Sequence, residues 1–436
     1  MSTTQEAGDD RPIGLSERAG AGPAIAQGAP EAETPGPVGT GERMVVLDVL
    51  RGVALLGILV VNMPFLATPG IVDPDFLTRE FPGAVDRAAR WLVTFLAEGK
   101  FYPLFSFLFG YGFAVQLSRD APGSPRRRYV RRLAGLLLLG LAHVTLLWAG
   151  DILAIYAVLG SLLLLFERRA DRTLLRWAGA LLLVAVVPIV LLTLVTVLVG
   201  AGPEVTQADA ELRRAGSEAL VIARERSFPE LVRQRWSEYS SVLFVLVLQG
   251  PVVLAMFLTG MWAARRGVLR DPAAERPLLR RALVIGFLVG LAGSFAGATL
   301  RVAADSANSP TYLASFGFLT IAGPVQALAY AAGIALLLLR GEEWRRRLAP
   351  LARVGRLALS NYILQSLLAT SIFYGYGLGL YGRVGSALLL ALSLAIFALQ
   401  VLLSGWWLRH LRFGPLEWLL RSLTYWRRQP MRGGGG

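Results

Sequence analysis

Residues 44–65 read MVVLDVLRGVALLGILVVNMPF. Apart from Asp48, Arg51 and Asn62, every side chain in this run is apolar or absent. As a helix rising about 1.5 Å per residue, the run reaches about 33 Å, enough to cross a hydrocarbon core of about 30 Å. Its three polar residues are not scattered. Asp48 and Arg51 are spaced i,i+3 and can pair on one helical face. Asn62 lies three turns beyond Arg51 on that same face. An ionisable group at the centre of a membrane helix costs about 2.5–3.5 kcal/mol on insertion scales, so a polar stripe there calls for a function.

The rest of the chain follows this pattern. Its 436 residues are 54% hydrophobic and only 17% charged, against about 25% charged in soluble domains. Further apolar runs predict about ten spans in all, at 44–67, 94–117, 130–149, 151–166, 174–199, 241–264, 281–300, 313–339, 356–375 and 385–407. The expected fold is an all-α integral membrane protein. Cysteine is absent, which excludes disulfides and thiolate chemistry. The only histidines are His143 and His410, so no metal site is expected. The net charge of +14 is mostly Arg in short loops and reads as topology rather than nucleic-acid binding.

The loops 118–132, 167–176, 265–281 and 340–356 and the tail 409–432 together hold 28 Arg, and the alternate loops hold 11. The positive-inside rule puts the rich side, and with it both termini, in the cytoplasm of a bacterial cell. Residues 1–42, rich in Gly, Ala, Pro, Glu and Thr, read as a disordered cytoplasmic tail. Residues 43–408 form the transmembrane domain. Within it, 201–239 mixes apolar and charged residues at helical spacing and is expected outside as one or two surface helices, either a solvated connector or a lid. Residues 409–436 form a basic amphipathic tail whose GPLEWLLRSLTYWRRQP suits an interfacial helix on anionic membrane lipid.

The stretch AEGKFYPLFSFLFGYGF, 97–113, holds the only lysine, Lys100. Glu98, Lys100 and Tyr102 stand near the outer end of the second expected span, and Ser106 lies deeper. Gly110 and Gly112 allow close helix contact. The third span carries His143, and Asp151 follows the short turn WAGD, so the pair suits a base with an orienting acid. Asn361 and Gln365 are i,i+4 on the ninth span. Gln326 and Tyr330 follow a Gly-Pro break in the eighth. Two polar layers result by depth, an inner one of Asp48, Arg51, Asn361 and Gln365 and an outer one of Asn62, Glu98, Lys100, His143 and Asp151.

The segments LDVLRGVALLGILVVN, EGKFYPLFSFLFGYG, HVTLLWAGDILAIYA, GRLALSNYILQSL, FYGYGLGLYG and RFGPLEWLLRSLTY resemble the YeiB-like bacterial membrane proteins that carry the domain of unknown function 418. The resemblance implies a place among the transmembrane acyltransferases, which move an acyl group from cytoplasmic acyl-CoA to a small-molecule or glycan acceptor. In the acyltransferase-3 proteins a first-helix Arg is followed by a His where this chain has Asn62. The expected chemistry is therefore O- or N-acyl transfer with His143 as base, oriented by Asp151. Lys100 and Asn62 would stabilise the oxyanion, with Glu98 beside them. Arg51, Asn361 and Gln365 would line the donor path, and Asp48, Tyr102, Ser106 and Gln326 would complete the substrate contacts. No permanently bound cofactor is expected; acyl-CoA is the co-substrate. The rival readings are a transporter or flippase in which the same residues bind a solute, and a structural or sensory membrane protein.

Overall fold

The computed structural model describes residues 45–118, 124–199, 203–225 and 227–432; the expected tail 1–42 lies outside them. Every regular element among the described residues is helical. The helices are α1 (Val45–Ala67), α2 (Phe76–Glu80), α3 (Ala84–Leu96), α4 (Phe101–Leu117), α5 (Pro125–Leu146), α6 (Leu153–Ser161), α7 (Asp171–Val199) and α8 (Pro203–Glu225). They continue as α9 (Phe228–Arg266), α10 (Arg276–Ile285), α11 (Ala292–Ala303), α12 (Pro310–Leu338), α13 (Glu342–Arg356), α14 (Ala358–Phe373), α15 (Ser386–His410) and α16 (Pro415–Tyr425).

Local sequence sets several starts. Ser124 and Ser309 each precede a proline, and their hydroxyls accept from the N–H groups of Arg127 at 3.4 Å and Tyr312 at 3.2 Å. Proline costs nothing at a first helical position, because its missing N–H would have no partner there. Ser227 and Glu230 form a reciprocal capping box at the start of α9.

Among the described residues, seven helical stretches are long and apolar enough to cross a membrane: 45–67, 84–117, 125–146, 171–198, 276–303, 310–338 and 386–410. The two parts of α9, 228–243 and 248–266, meet at 69° and make an eighth if counted together. The other two expected spans are helical but short, at Leu153–Leu165 and Ala358–Phe373. A helix of 16 residues is about 24 Å long, less than the hydrocarbon thickness. The α5–α6 turn cuts one of them short, and the glycine-rich run after Phe373 ends the other. α7 is the most apolar of these stretches, and most of it is left uncovered by the rest of the chain. Leu183, Leu191, Val195 and Leu198 on it are more than half exposed; such a surface needs lipid or a partner to cover it.

The core runs between α1, α4, α5, α6, α9, α14 and α15. α4 and α9 approach most closely where Gly110 faces the backbone of Phe257 and Gly260 faces that of Phe107. A Cβ at either glycine would enter the opposing backbone, so the expected close contact at Gly110 exists and is reciprocal. Gly112 faces open space.

The tail helix α16 packs on α5 and α14. Its Glu417 carboxylate accepts from the backbone N–H groups of Leu359 at 2.7 Å and Ser360 at 3.1 Å, and from the Ser360 hydroxyl. A carboxylate on the exposed N–H groups of a helix start is favourable. Burial nonetheless pushes the Glu417 carboxyl above its ordinary range.

At the opposite end, where the Arg-poor loops gather, the described residues 203–225 and 228–239 are helical, and they dock rather than float. Ala219, Ala223, Leu231, Arg235 and Tyr239 are buried. Arg224 Nε donates to the Tyr381 carbonyl at 2.8 Å, and Arg235 Nη1 donates to the Thr145 carbonyl at 3.2 Å. Tyr239 packs with Val144 and Ala149, over the turn that holds Asp151. The segment is thus anchored to the bundle beside the turn that holds Asp151.

Candidate functional site

His143 lies in the last turn of α5 and is 2% exposed. The chain then reverses through Trp148, Ala149 and Gly150, and Asp151 comes back beside it. His143 Nδ1 and Asp151 Oδ1 are 3.1 Å apart, with both side chains wholly buried. The other carboxylate oxygen, Oδ2, accepts from the Ala154 N–H at 2.7 Å in the first turn of α6. The carboxylate thus meets a helix N-terminus, which favours its charge. Because an ionised carboxylate only accepts, a neutral imidazole facing it would carry its proton on Nδ1 and leave Nε2 as an acceptor.

That acceptor is used. Ser366 Oγ, on α14, lies 2.9 Å from His143 Nε2 and is 2% exposed. Hydroxyls on membrane helices commonly return to their own backbone. Thr370 and Ser371 on the same helix do so, both donating to the Leu367 carbonyl. Ser366 instead gives its hydrogen bond to the imidazole. The result is a buried Ser366–His143–Asp151 relay, the geometry that activates a hydroxyl nucleophile.

Two aromatic rings wall the imidazole. The Tyr362 ring centroid is 5.2 Å from it, and that of Trp148 is 6.4 Å away and edge-on. Trp148 Nε1 is buried without a hydrogen-bond partner. Leaving such a donor unmet costs about 1–3 kcal/mol, and in a native fold it asks for an explanation.

Close packing of α5 on α6 sets the His143–Asp151 distance. A Cβ on Gly140 would fall 2.6 Å from Asp151 Oδ2 and would also crowd the Ala154 backbone. Gly140→Ala should therefore push α6 outward and lengthen the Nδ1–H hydrogen bond, at an overpacking cost of about 1–3 kcal/mol. The chain has two histidines, which makes histidine NMR simple to assign. The low-field Nδ1–H signal of His143 should move upfield in the variant. An unchanged signal would show that α6 yields without disturbing the pair.

The remaining residues singled out from the sequence fall into separate groups. Glu98 and Lys100 share depth with His143 but occupy the break between α3 and α4. Lys100 Nζ donates to the Thr94 carbonyl at 2.7 Å and is wholly buried. Glu98 accepts from Thr94 Oγ1 at 2.8 Å and pairs with Arg301 at 3.1 Å. Asn62 is half-buried on α1. Asp48 and Arg51 pair at 3.0 Å as their spacing predicts. Asn361 donates to Ser404 at 3.0 Å, Gln365 donates to Gln400 at 2.9 Å, and Gln400 donates to the Asn361 carbonyl at 2.8 Å. These amides join α14 to α15 as a ladder. Gln326 accepts from Ser294 and donates to Tyr330, both at 2.6 Å. The Ser106 and Tyr156 hydroxyls lie 2.7 Å apart and both reach the Tyr102 carbonyl, so one donates to that carbonyl and the other to its neighbouring hydroxyl.

Ser366, Trp148 and Arg301 were not singled out from the sequence. Ser366 is 223 residues from His143, and its one local signal is the i,i+4 relation to Tyr362, a face adjacent to that of Asn361 and Gln365. Arg301 counted only as a loop charge.

Residues 263–427 match the family model described as "Protein of unknown function (DUF418)". The chain is 35% identical over 413 residues to the uncharacterized protein YxaH of Bacillus subtilis (strain 168), covering 91% of this chain and 97% of that one. It is 31% identical over 396 residues to the uncharacterized protein YeiB of Escherichia coli (strain K12), covering 88% and 96%. An uncharacterized 39.9 kDa protein from Bacillus acidopullulyticus is 30% identical over 403 residues, covering 91% and 97%. No solved structure matches.

Proposed function

The chain belongs to the YeiB-like DUF418 family, and from that premise we propose that it is a membrane-bound acyltransferase working through Ser366. The observation that carries the reading is the buried hydrogen-bonded relay of Ser366, His143 and Asp151. In the first half-reaction Ser366 Oγ attacks the thioester carbonyl of acyl-CoA and its proton passes to His143 Nε2. The C–S bond breaks, and the CoA thiolate leaves with that proton. In the second half an acceptor hydroxyl or amine gives its proton to His143 and attacks the acyl-serine, and Ser366 recovers the proton as it is released. Asp151 holds the imidazole tautomer and balances the transient imidazolium. Trp148 Nε1, the unpartnered donor beside the imidazole, serves the oxyanion in place of Lys100, whose ammonium is engaged by the Thr94 carbonyl.

The reading includes ten crossings of the bacterial plasma membrane, with α6 and α14 as short members and both termini cytoplasmic. The donor arrives from the Arg-rich face, where Arg51 keeps 32% of its side chain exposed for the phosphates of CoA. The relay is closed at the other face by α8 and the start of α9, so the acceptor reaches it when that lid moves. Burial also protects an acyl-serine from water.

The test is acyl-enzyme trapping. Purified protein mixed with labelled acetyl-CoA or a longer acyl-CoA, quenched in acid and digested, should carry the label on the peptide containing Ser366. Ser366→Ala should carry none. Label that persists in that variant, or no label in wild type with any chain length, would remove the acyl-serine reading.

A further inference from the structure

A second feature stands between α1, α3, α11, α12 and α15, apart from the relay. It is a cavity of about 140 Å³ at the Arg-poor end. One water needs only roughly 10–15 Å³ on this measure, so the space suits a larger group.

Its walls are of two kinds. The charged wall has two carboxylates, Asp75 and Glu98, and two guanidiniums, Arg90 and Arg301. These sum to zero formal charge. The apolar wall includes Val61, Phe65 and Leu390. Phe65 is 38% exposed, so this wall continues onto the apolar outside of the bundle. An alkyl chain lying in the cavity could continue along that exposed apolar surface.

The charged wall is incompletely satisfied. Arg301 Nε donates to Ser315 at 3.1 Å, and Nη1 donates to Tyr312 at 3.1 Å and meets Glu98 at 3.1 Å. The third nitrogen, Nη2, is buried and has no hydrogen-bond partner. An oxygen of a phosphate or carboxylate is the acceptor a guanidinium fits best. Asp75 accepts one backbone N–H, from Ala307 at 2.9 Å. Burial pushes its carboxyl up from the ordinary range, and a cation beside it would offset that cost. A purely anionic head would face two carboxylates, and a purely cationic one two guanidiniums.

We infer that the cavity binds a zwitterionic amphiphile, with its phosphate oxygen on Arg301, its ammonium beside Asp75 and Glu98, and its alkyl chain leaving past Phe65. A phosphoethanolamine-type lipid has this chemistry, whether it comes as a resident bilayer lipid or as a molecule to be modified. Binding of the amphiphile does not rest on the acyl-transfer reading; only the last arm below, which separates a resident lipid from a substrate, rests on it and is read once an acyl-serine has been trapped.

Native mass spectrometry of the full chain in detergent tests it, with phosphatidylethanolamine, phosphatidylglycerol and soluble phosphoethanolamine as probes. Phosphatidylethanolamine should be retained about tenfold more than phosphatidylglycerol, and phosphoethanolamine should fail to displace it at equal concentration. Arg301→Gln should lose that preference. Leu390→Trp, which fills the apolar wall and leaves the ion pairs in place, should lose retention while the melting temperature stays within a few degrees. Equal retention of the two lipids would overturn the zwitterion assignment. Displacement by the soluble head group would overturn the amphiphile assignment. Unchanged retention in folded Leu390→Trp would overturn the site. To separate the two sources, the bound lipid is recovered after incubation with acyl-CoA. An unmodified lipid marks a resident, and an acylated one a substrate.

Discussion

Asp151→Asn should be as inactive in acyl transfer as His143→Ala or Ser366→Ala, each about 10³-fold or more below wild type. The asparagine result is the more telling of the three, because the substitution barely changes size. Asp151 Oδ2 accepts from the Ala154 N–H, and that backbone donor needs an oxygen. An asparagine must therefore turn its carbonyl to Ala154 and its amide NH₂ to His143 Nδ1. The amide can only donate there, so the imidazole proton moves to Nε2. Nε2 then no longer accepts from Ser366, and the nucleophile loses its base. Turnover, membrane abundance and the two-histidine NMR spectrum check this together. The expected result is normal abundance, a reversed tautomer and no turnover. An active Asp151→Asn variant would show that the histidine tautomer does not matter to the reaction. Loss of the folded protein in His143→Ala would make the relay a packing device.

Lys100→Ala and Lys100→Arg should both lose folded protein. Lys100 Nζ reaches back across the break between α3 and α4 to the Thr94 carbonyl, in the last turn of α3. A cation there complements the negative end of the helix. Alanine would strand a buried carbonyl, at about 1–3 kcal/mol. Arginine keeps the charge, but its planar fork is larger than an ammonium, and the site has no exposed surface to expand into. Overpacking of that kind costs about 1–3 kcal/mol. Thermal midpoints in detergent and membrane abundance read the effect, and both variants should fall by similar amounts. Full abundance in Lys100→Arg would mean that any cation can close the break. The lone lysine thus acts first on the fold, where a compact charge is needed.

The sequence made the helices legible because a membrane helix is defined by two local properties, length and apolarity. It made His143 and Asp151 legible as a pair because a four-residue turn leaves them nowhere else to go. Expected depth is a single coordinate. It puts Lys100 and His143 in one layer, whereas the two belong to separate hydrogen-bonded groups, since rotation about each helix axis is set by packing. Ser366 was hidden for the same reason, as no local pattern says which face of α14 meets α5. Arg301 was hidden because a charge near a helix end looks like a loop charge until Glu98 and Tyr312 are placed around it. Residues 201–239 and the span 241–264 read as two units divided near residue 240, whereas α9 runs on from Phe228 and bends by 69° only after Leu243, because the change in charge content along it does not coincide with the bend.

The two short helices have a further consequence. α6 and the turn that follows it bear Val158 and Leu165, and α14 bears Leu367, each nearly half or more exposed, as surfaces for lipid to cover. Bilayer next to a short apolar wall must thin or let flanking groups reach outward, at fractions of a kcal/mol per ångström of mismatch. Asp151 precedes one of these helices and Ser366 lies within the other. With α6 and α14 crossing the membrane as proposed, the thinnest part of the bilayer would lie against the relay, and under the proposed acyl transfer its hydrocarbon thickness would set how far a bound acyl group must travel between faces.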